Sequence, residues 1–120
     1  MTNHPERRKA TRCPVDFFVE ETKDGHTWLH PALNLSINGL YVLVSDDERA
    51  VDSHQPMALE FTLPSGVLIR AVGHVAYVDD RQGQRGLGVA FTQLDPDAQL
   101  AIARYVEAIE AAQRRLRSIG

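Results

Sequence analysis

Val15-Asp16-Phe17-Phe18-Val19-Glu20-Glu21-Thr22-Lys23-Asp24-Gly25-His26-Thr27-Trp28-Leu29 reads as a β-hairpin, and the rest of the chain is best understood outward from it. Val15 to Thr22 is rich in aromatic and β-branched residues and alternates loosely, which suits a pleated, half-buried strand. Asp24-Gly25 is the strongest short turn signal in the chain, because a two-residue hairpin turn needs positive φ at both central positions. The second strand runs through Thr27, Trp28 and Leu29 toward Leu35, with Pro31 marking an edge or a bulge.

Downstream the same pattern repeats. Gly39 is expected to end a turn, and Leu40 to Val44 form a third strand. Ser45 to Pro56 is polar and acidic, as in a surface loop. Met57 to Leu63 is a fourth strand, Pro64-Ser65-Gly66 a turn, and Val67 to Val78 a fifth strand with a bend or bulge at Gly73. A polar turn is expected over Asp79 to Gln84, then a sixth strand over Leu87 to Thr92. Asp95 can cap a helix that starts at Pro96 and ends near 118. Its apolar stripe is Ala98, Ile102, Tyr105, Ile109, Ala112 and Leu116. The expected fold class is mainly β: a six-stranded antiparallel β-barrel over 13–120 with a C-terminal α-helix, preceded by a flexible N-terminal arm over 1–12.

Composition narrows the function. With 120 residues the chain is one domain, and its 43% hydrophobic and 24% charged content is that of a globular protein. A net charge of -3 argues against a general DNA or RNA binder. Scarce aromatics count against a single-strand binder built on stacking. Cys13 is the only cysteine, so no internal disulfide and no thiolate zinc site is expected. No apolar run approaches the roughly 20 residues of a membrane span, and Met1 to Glu6 lacks the apolar core of a signal peptide. The expected setting is the reducing cytoplasm, with no membrane insertion. His26 and His30 stand about 13 Å apart on a strand, too far to share a metal. No nucleophile and general base stand together, so no enzyme is expected and no cofactor.

Two short motifs carry the chemistry. Arg8-Lys9-Ala10-Thr11-Arg12 is an R-x-x-x-R, preceded by Arg7. Arginine offers a planar fork of donors that fits phosphate oxygens bidentately, stacks on flat rings and matches the O6 and N7 acceptors of guanine. Each charge-assisted bond contributes about 1.5–3 kcal/mol, against about 1–2 kcal/mol to order each arm residue. Such an arm is expected to close only when several bonds form together. Asn34-Leu35-Ser36-Ile37-Asn38-Gly39 is an N-x-S-x-x-G. Asn34 presents a donor and an acceptor to a base edge, and Ser36 shares its face of an extended strand. Gly39 permits positive φ and close backbone approach.

Together these motifs resemble the signature of the PilZ domain family of cyclic di-GMP receptors. Gly73-His74-Val75-Ala76-Tyr77 resembles the family's G-x-V-x-aromatic strand, and Gly86-Leu87-Gly88-Val89-Ala90-Phe91 its G-x-G-V-x-F strand. The resemblance covers nearly the whole chain and implies a stand-alone, split-barrel receptor. It implies that Arg8 and Arg12 contact phosphates and guanine faces, that Asn34 and Ser36 hold a guanine edge, and that Gly39 closes the turn beneath the ligand. Arg7, directly before the motif, implies an intercalated pair of cyclic di-GMP molecules. A protein partner in motility, exopolysaccharide or biofilm control is expected, with the chain itself a monomer or weak homodimer. The alternative is a PilZ-type adaptor that acts through protein contacts without the nucleotide.

Overall fold

The computed structural model describes residues 12–45, 55–81 and 83–119. Six strands precede one helix: β1 (Cys13–Lys23), β2 (His26–Ser36), β3 (Gly39–Val44), β4 (Met57–Thr62), β5 (Leu68–Arg81), β6 (Gln84–Leu94) and α1 (Pro96–Ile119). The strands close into a barrel in the order β1-β2-β3-β6-β5-β4, every pair antiparallel. The mainly β fold with a six-stranded barrel and a C-terminal helix is thus the one expected. Most of the 1–12 arm, and most of the loop expected over Ser45–Pro56, lie outside the described residues.

The opening hairpin forms as its turn residues dictate. Asp24 and Gly25 both take positive φ, 52° and 79°, the pair that a two-residue turn matched to the strand twist requires. Pro31 pairs with Phe18 of β1, while the β3 ladder begins one residue later at Ala32. The proline therefore sits just beyond β3, where its missing N–H breaks no bond to that strand.

Two bulges control which side chains reach the outer surface. In β2, His30 and Ala32 point into the barrel, and simple alternation would carry Asn34 inward as well. The register instead shifts between Ala32 and Asn34. Leu33 and Asn34 both fall outside the core, and Leu35 becomes fully buried. In β5 the register shifts between Val75 and Tyr77. Val75 is buried, and without the extra residue Tyr77 and Asp79 would follow it inward; Tyr77 is instead 44% exposed. A further shift between Val72 and Gly73 matches the bend expected at Gly73.

The polar turn expected over Asp79–Gln84 is shorter than that. Asp79 and Asp80 still pair with Gly86 and Arg85, and the chain reverses tightly at Gly83, whose φ is 78°. Polar composition marked the region as solvent-facing but not where pairing stops. Gly39 ends the Ile37–Asn38 turn as expected, and of the two properties expected of its glycine it uses close backbone approach rather than positive φ. It is the first residue of β3, and the described glycines with positive φ are Gly25, Gly66 and Gly83. A Cβ at Gly39 would collide with the Val89 carbonyl oxygen, so glycine is needed there for the close approach of β3 to β6.

Leu35, Leu40, Leu63, Ile69, Leu87 and Ile102 are essentially sealed from solvent. Each such side chain contributes about 1.5–3 kcal/mol by leaving water. Phe61 stacks on Phe17 and Phe91 with ring centres 5.4 and 6.4 Å apart. Asp95 caps α1, its Oδ1 accepting the Ala98 N–H at 2.9 Å. The helix packs on its own barrel through Ala98, Ile102 and Val106, with Tyr105 and Ile109 partly covered. The expected stripe loses its far end, since Leu116 is 69% exposed. Trp28 does not join the core either; it is half-buried, its ring 5.9 Å from that of His26. No described helix is long and apolar enough to cross a membrane.

Candidate functional site

The start of β1 lies beside the end of β2, with Pro14 opposite Asn34. That pairing carries the last arginine of the first motif to the first residue of the second. Arg12 Nη1 donates to Asn34 Oδ1 at 3.0 Å, across 22 positions of sequence. Arg12 is exposed and Asn34 half-buried on the outer face. Arg7 and Arg8 lie outside the described residues.

Ser36 is buried and turned into its own loop. Its Oγ accepts the Asn38 N–H at 3.1 Å and lies 3.5 Å from the Gly39 carbonyl oxygen, toward which it donates. This local turn fixes the path of residues 36–39. The Asn38 carbonyl in turn accepts the Phe91 N–H at 2.8 Å, tying the loop to β6. Asn34 is half-buried and Ser36 buried, so of the two Asn34 is the one open toward the outer surface.

From Asn34 a row of cross-strand neighbours runs over the outside of the barrel. Asn34 pairs with Tyr41, Tyr41 with Gly88, and Gly88 with Tyr77. Three strand steps separate the ends, about 14 Å at sheet spacing. The two glycines of β6 make the row flat. A Cβ at Gly88 would collide with the Tyr77 ring and one at Gly86 with the Tyr41 phenol, so both rings lie down on bare backbone. Their centres are 6.3 Å apart at 28°, and Tyr41 Oη donates to Asp79 Oδ2 at 3.1 Å. The result is a guanidinium and an amide at one end of the row, with an aromatic floor edged by a carboxylate at the other.

The sequence alone does not bring Tyr41 and Asp79 into the candidate site, and gives Tyr77 only as the aromatic of the family-like strand. Their grouping depends on register between β3, β5 and β6 and on the β5 bulge, neither of which is legible in local pattern. The one available signal is the alternation Gly86-x-Gly88 just before the apolar run Val89-Ala90-Phe91, which marks close approach of another group.

Other clusters offer less. A groove between the Ile37–Asn38 turn, the end of β6 and α1 is lined by Phe91, Leu94, Gln99 and Leu100 and has no charged side chain for an anion. Inside the barrel His30 Nε2 and Glu21 Oε1 lie 2.9 Å apart, both side chains sealed from water. Cys13 is buried, and desolvation together with the nearby Glu110 charge raises its thiol above the ordinary value of 9.0, the opposite of a reactive thiolate. Among the described residues no group of three His, Cys, Asp or Glu side chains is placed to hold a metal.

Known proteins share this architecture. The Bacillus subtilis inhibitor of motility, MotI/DgrA, superposes with a TM-score of 0.82 at 18% identity, over 90% of this chain and 53% of that one. The PilZ domain of YcgR from Escherichia coli, solved with c-di-GMP, gives 0.73 at 17% identity over 93% of this chain and 98% of that one. MrkH from K. pneumonia, in a c-di-GMP complex, gives 0.66 at 18% identity over 91% and 55%. The chain thus spans about half the length of the MotI/DgrA and MrkH chains it matches. At these identities the likeness is one of fold. No curated protein sequence matches significantly. The family model described as PilZ domain matches residues 6–108, most of the chain, and on that match this chain belongs to the PilZ domain family.

Proposed function

We propose that this chain is a receptor for cyclic di-GMP and acts without catalysis of its own. The observation that carries the reading is the Arg12–Asn34 contact, which joins the two motifs on the outer face. An exposed guanidinium held beside an amide is suited to a ligand that combines phosphates with guanines. Family membership supports the same reading, as do the c-di-GMP complexes of YcgR and MrkH. In this proposal Arg8 and Arg12 take the phosphates and a guanine face. Asn34 takes a guanine edge, and Ser36 and Gly39 shape the loop beneath. Arg7 adds the contact that favours an intercalated pair of ligands. The liganded surface then engages a protein partner in motility, exopolysaccharide or biofilm control.

Titration calorimetry of the whole chain with cyclic di-GMP tests this. The expected result is saturable heat at micromolar or tighter affinity, about −8 kcal/mol or better, with a ratio near two ligands per chain. Absence of heat at those concentrations would overturn the proposal. A ratio of one would remove only the paired ligand.

A further inference from the structure

We infer that Asp79 reads the Watson–Crick edge of one guanine of the ligand, with Tyr41 as its positioning residue; this rests on the cyclic di-GMP reading. The geometry begins with the glycines. Gly86 and Gly88 leave the outer face of β6 bare, and the rings of Tyr41 and Tyr77 occupy that space. Tyr77 is 44% exposed, so part of its ring faces solvent and can take a planar base by stacking. Asp79 is two residues on, on the same face of β5, half-buried at the edge of that floor. The Tyr41 hydroxyl donates to its Oδ2 and orients the carboxylate.

A carboxylate is an acceptor-only group with two oxygens side by side. Among the common nucleobases guanine presents two adjacent donors, N1–H and the exocyclic N2–H₂, to such a pair. Adenine presents an acceptor at N1 and has no N2 group, so the same carboxylate repels it. Reading of a base by stacking plus hydrogen bonds to its Watson–Crick edge is a general device for nucleotides held outside a duplex. At the other end of the row Arg12 meets the opposite kind of edge, the O6 and N7 acceptors. A pair of cyclic di-GMP ligands carries four guanines, so a row about 14 Å long from Asn34 to Tyr77 can offer different bases to the readers at its two ends.

Calorimetry with three probes on the whole chain tests it: cyclic di-GMP, cyclic di-IMP, which lacks the exocyclic amine, and cyclic di-AMP. The expected result is that the wild-type chain prefers cyclic di-GMP over cyclic di-IMP by about tenfold or more, with cyclic di-AMP weaker still. Asp79→Asn weakens cyclic di-GMP by a similar factor and brings the first two probes within about twofold of each other. The ratio of two ligands on one variant does not depend on how much of it is folded, so a merely structural role for Asp79 would leave the ratio unchanged. Tyr41→Phe keeps the ring and loses only the hydroxyl; its ratio is expected to fall part of the way, and it carries the test if Asp79→Asn does not fold. A wild-type ratio near one, or an unchanged ratio in the variant that carries the test, overturns the inference and leaves the receptor reading standing. Lack of any heat with cyclic di-GMP on the wild-type chain overturns both.

Discussion

Two polar pairs of nearly equal length sit on opposite sides of the same hairpin. Inside the barrel, His30 and Glu21 meet at 2.9 Å with both side chains sealed from water. Outside, Arg12 and Asn34 meet at 3.0 Å where solvent reaches the guanidinium. The inner pair has no competitor from solvent, because both side chains are sealed from water, and removal of one partner takes a hydrogen bond from a buried polar group. The outer pair can exchange Asn34 for a better acceptor, such as a phosphate, at little cost. Similar distances therefore describe a fixture of the fold and a replaceable contact.

The sharpest way to break the comparison is to cut each pair once. His30→Ala is expected to lower unfolding free energy by about 2–5 kcal/mol, measured by chemical denaturation, because it takes a hydrogen-bond partner from buried Glu21 and leaves a void. Arg12→Ala is expected to weaken cyclic di-GMP about a hundredfold, some 2.7 kcal/mol, read by calorimetry. Its stability should stay within about 0.5 kcal/mol of wild type. An Arg12→Ala chain that unfolds as readily as His30→Ala would erase the distinction.

The glycines refine it further. Gly39→Ala drives a methyl against the Val89 carbonyl of the neighbouring backbone and should cost about 1–3 kcal/mol in the same denaturation experiment. In Gly88→Ala the atoms nearest the new methyl are those of the Tyr77 ring, an exposed side chain able to swing aside, so it should cost less while disturbing ligand affinity more. At the small end, Asp95→Ala removes the α1 cap and is expected to cost about 1 kcal/mol without touching ligand affinity. Cys13 completes the interior side of the comparison. Its raised thiol value means that the unfolded chain gives up that proton first, so this contribution to stability is present at neutral pH and declines as pH rises past 9.0. Alkylation of Cys13 should correspondingly be slow in the native chain and fast once it is denatured.

Much of the barrel was legible because its signals are local. Asp24-Gly25 specifies its own turn, Asp95-Pro96 its own helix start, and the strands carry their own β-branched and aromatic residues. The outer site is legible only when the two motifs are taken together, since the contact between Arg12 and Asn34 is a fact of β1–β2 register. The inner pair was hidden because Glu21 and His30 look like ordinary surface residues until alternation places both inside. Tyr41, Tyr77 and Asp79 were hidden as a group for the opposite reason. The β5 bulge reverses the alternation that the sequence suggests, and one inserted residue turns a core position into an outer-face position of the candidate site. The β2 bulge does the same for Asn34. Sequence periodicity fails at these two places, and both serve the candidate site.

The β3–β6 pairing has a kinetic consequence. Gly39 to Val44 pair with residues that follow the whole of β4 and β5 in the chain. The first hairpin can form as soon as its turn closes, whereas Tyr41 meets Gly88 only after those intervening strands have been laid down. The aromatic floor is therefore expected to assemble late in folding. A ligand that bridges Arg12 and Tyr77 would fasten contacts absent from the folding transition state. Its expected signature is slower unfolding with an almost unchanged refolding rate, so that occupancy would set how long the barrel persists rather than how fast it forms.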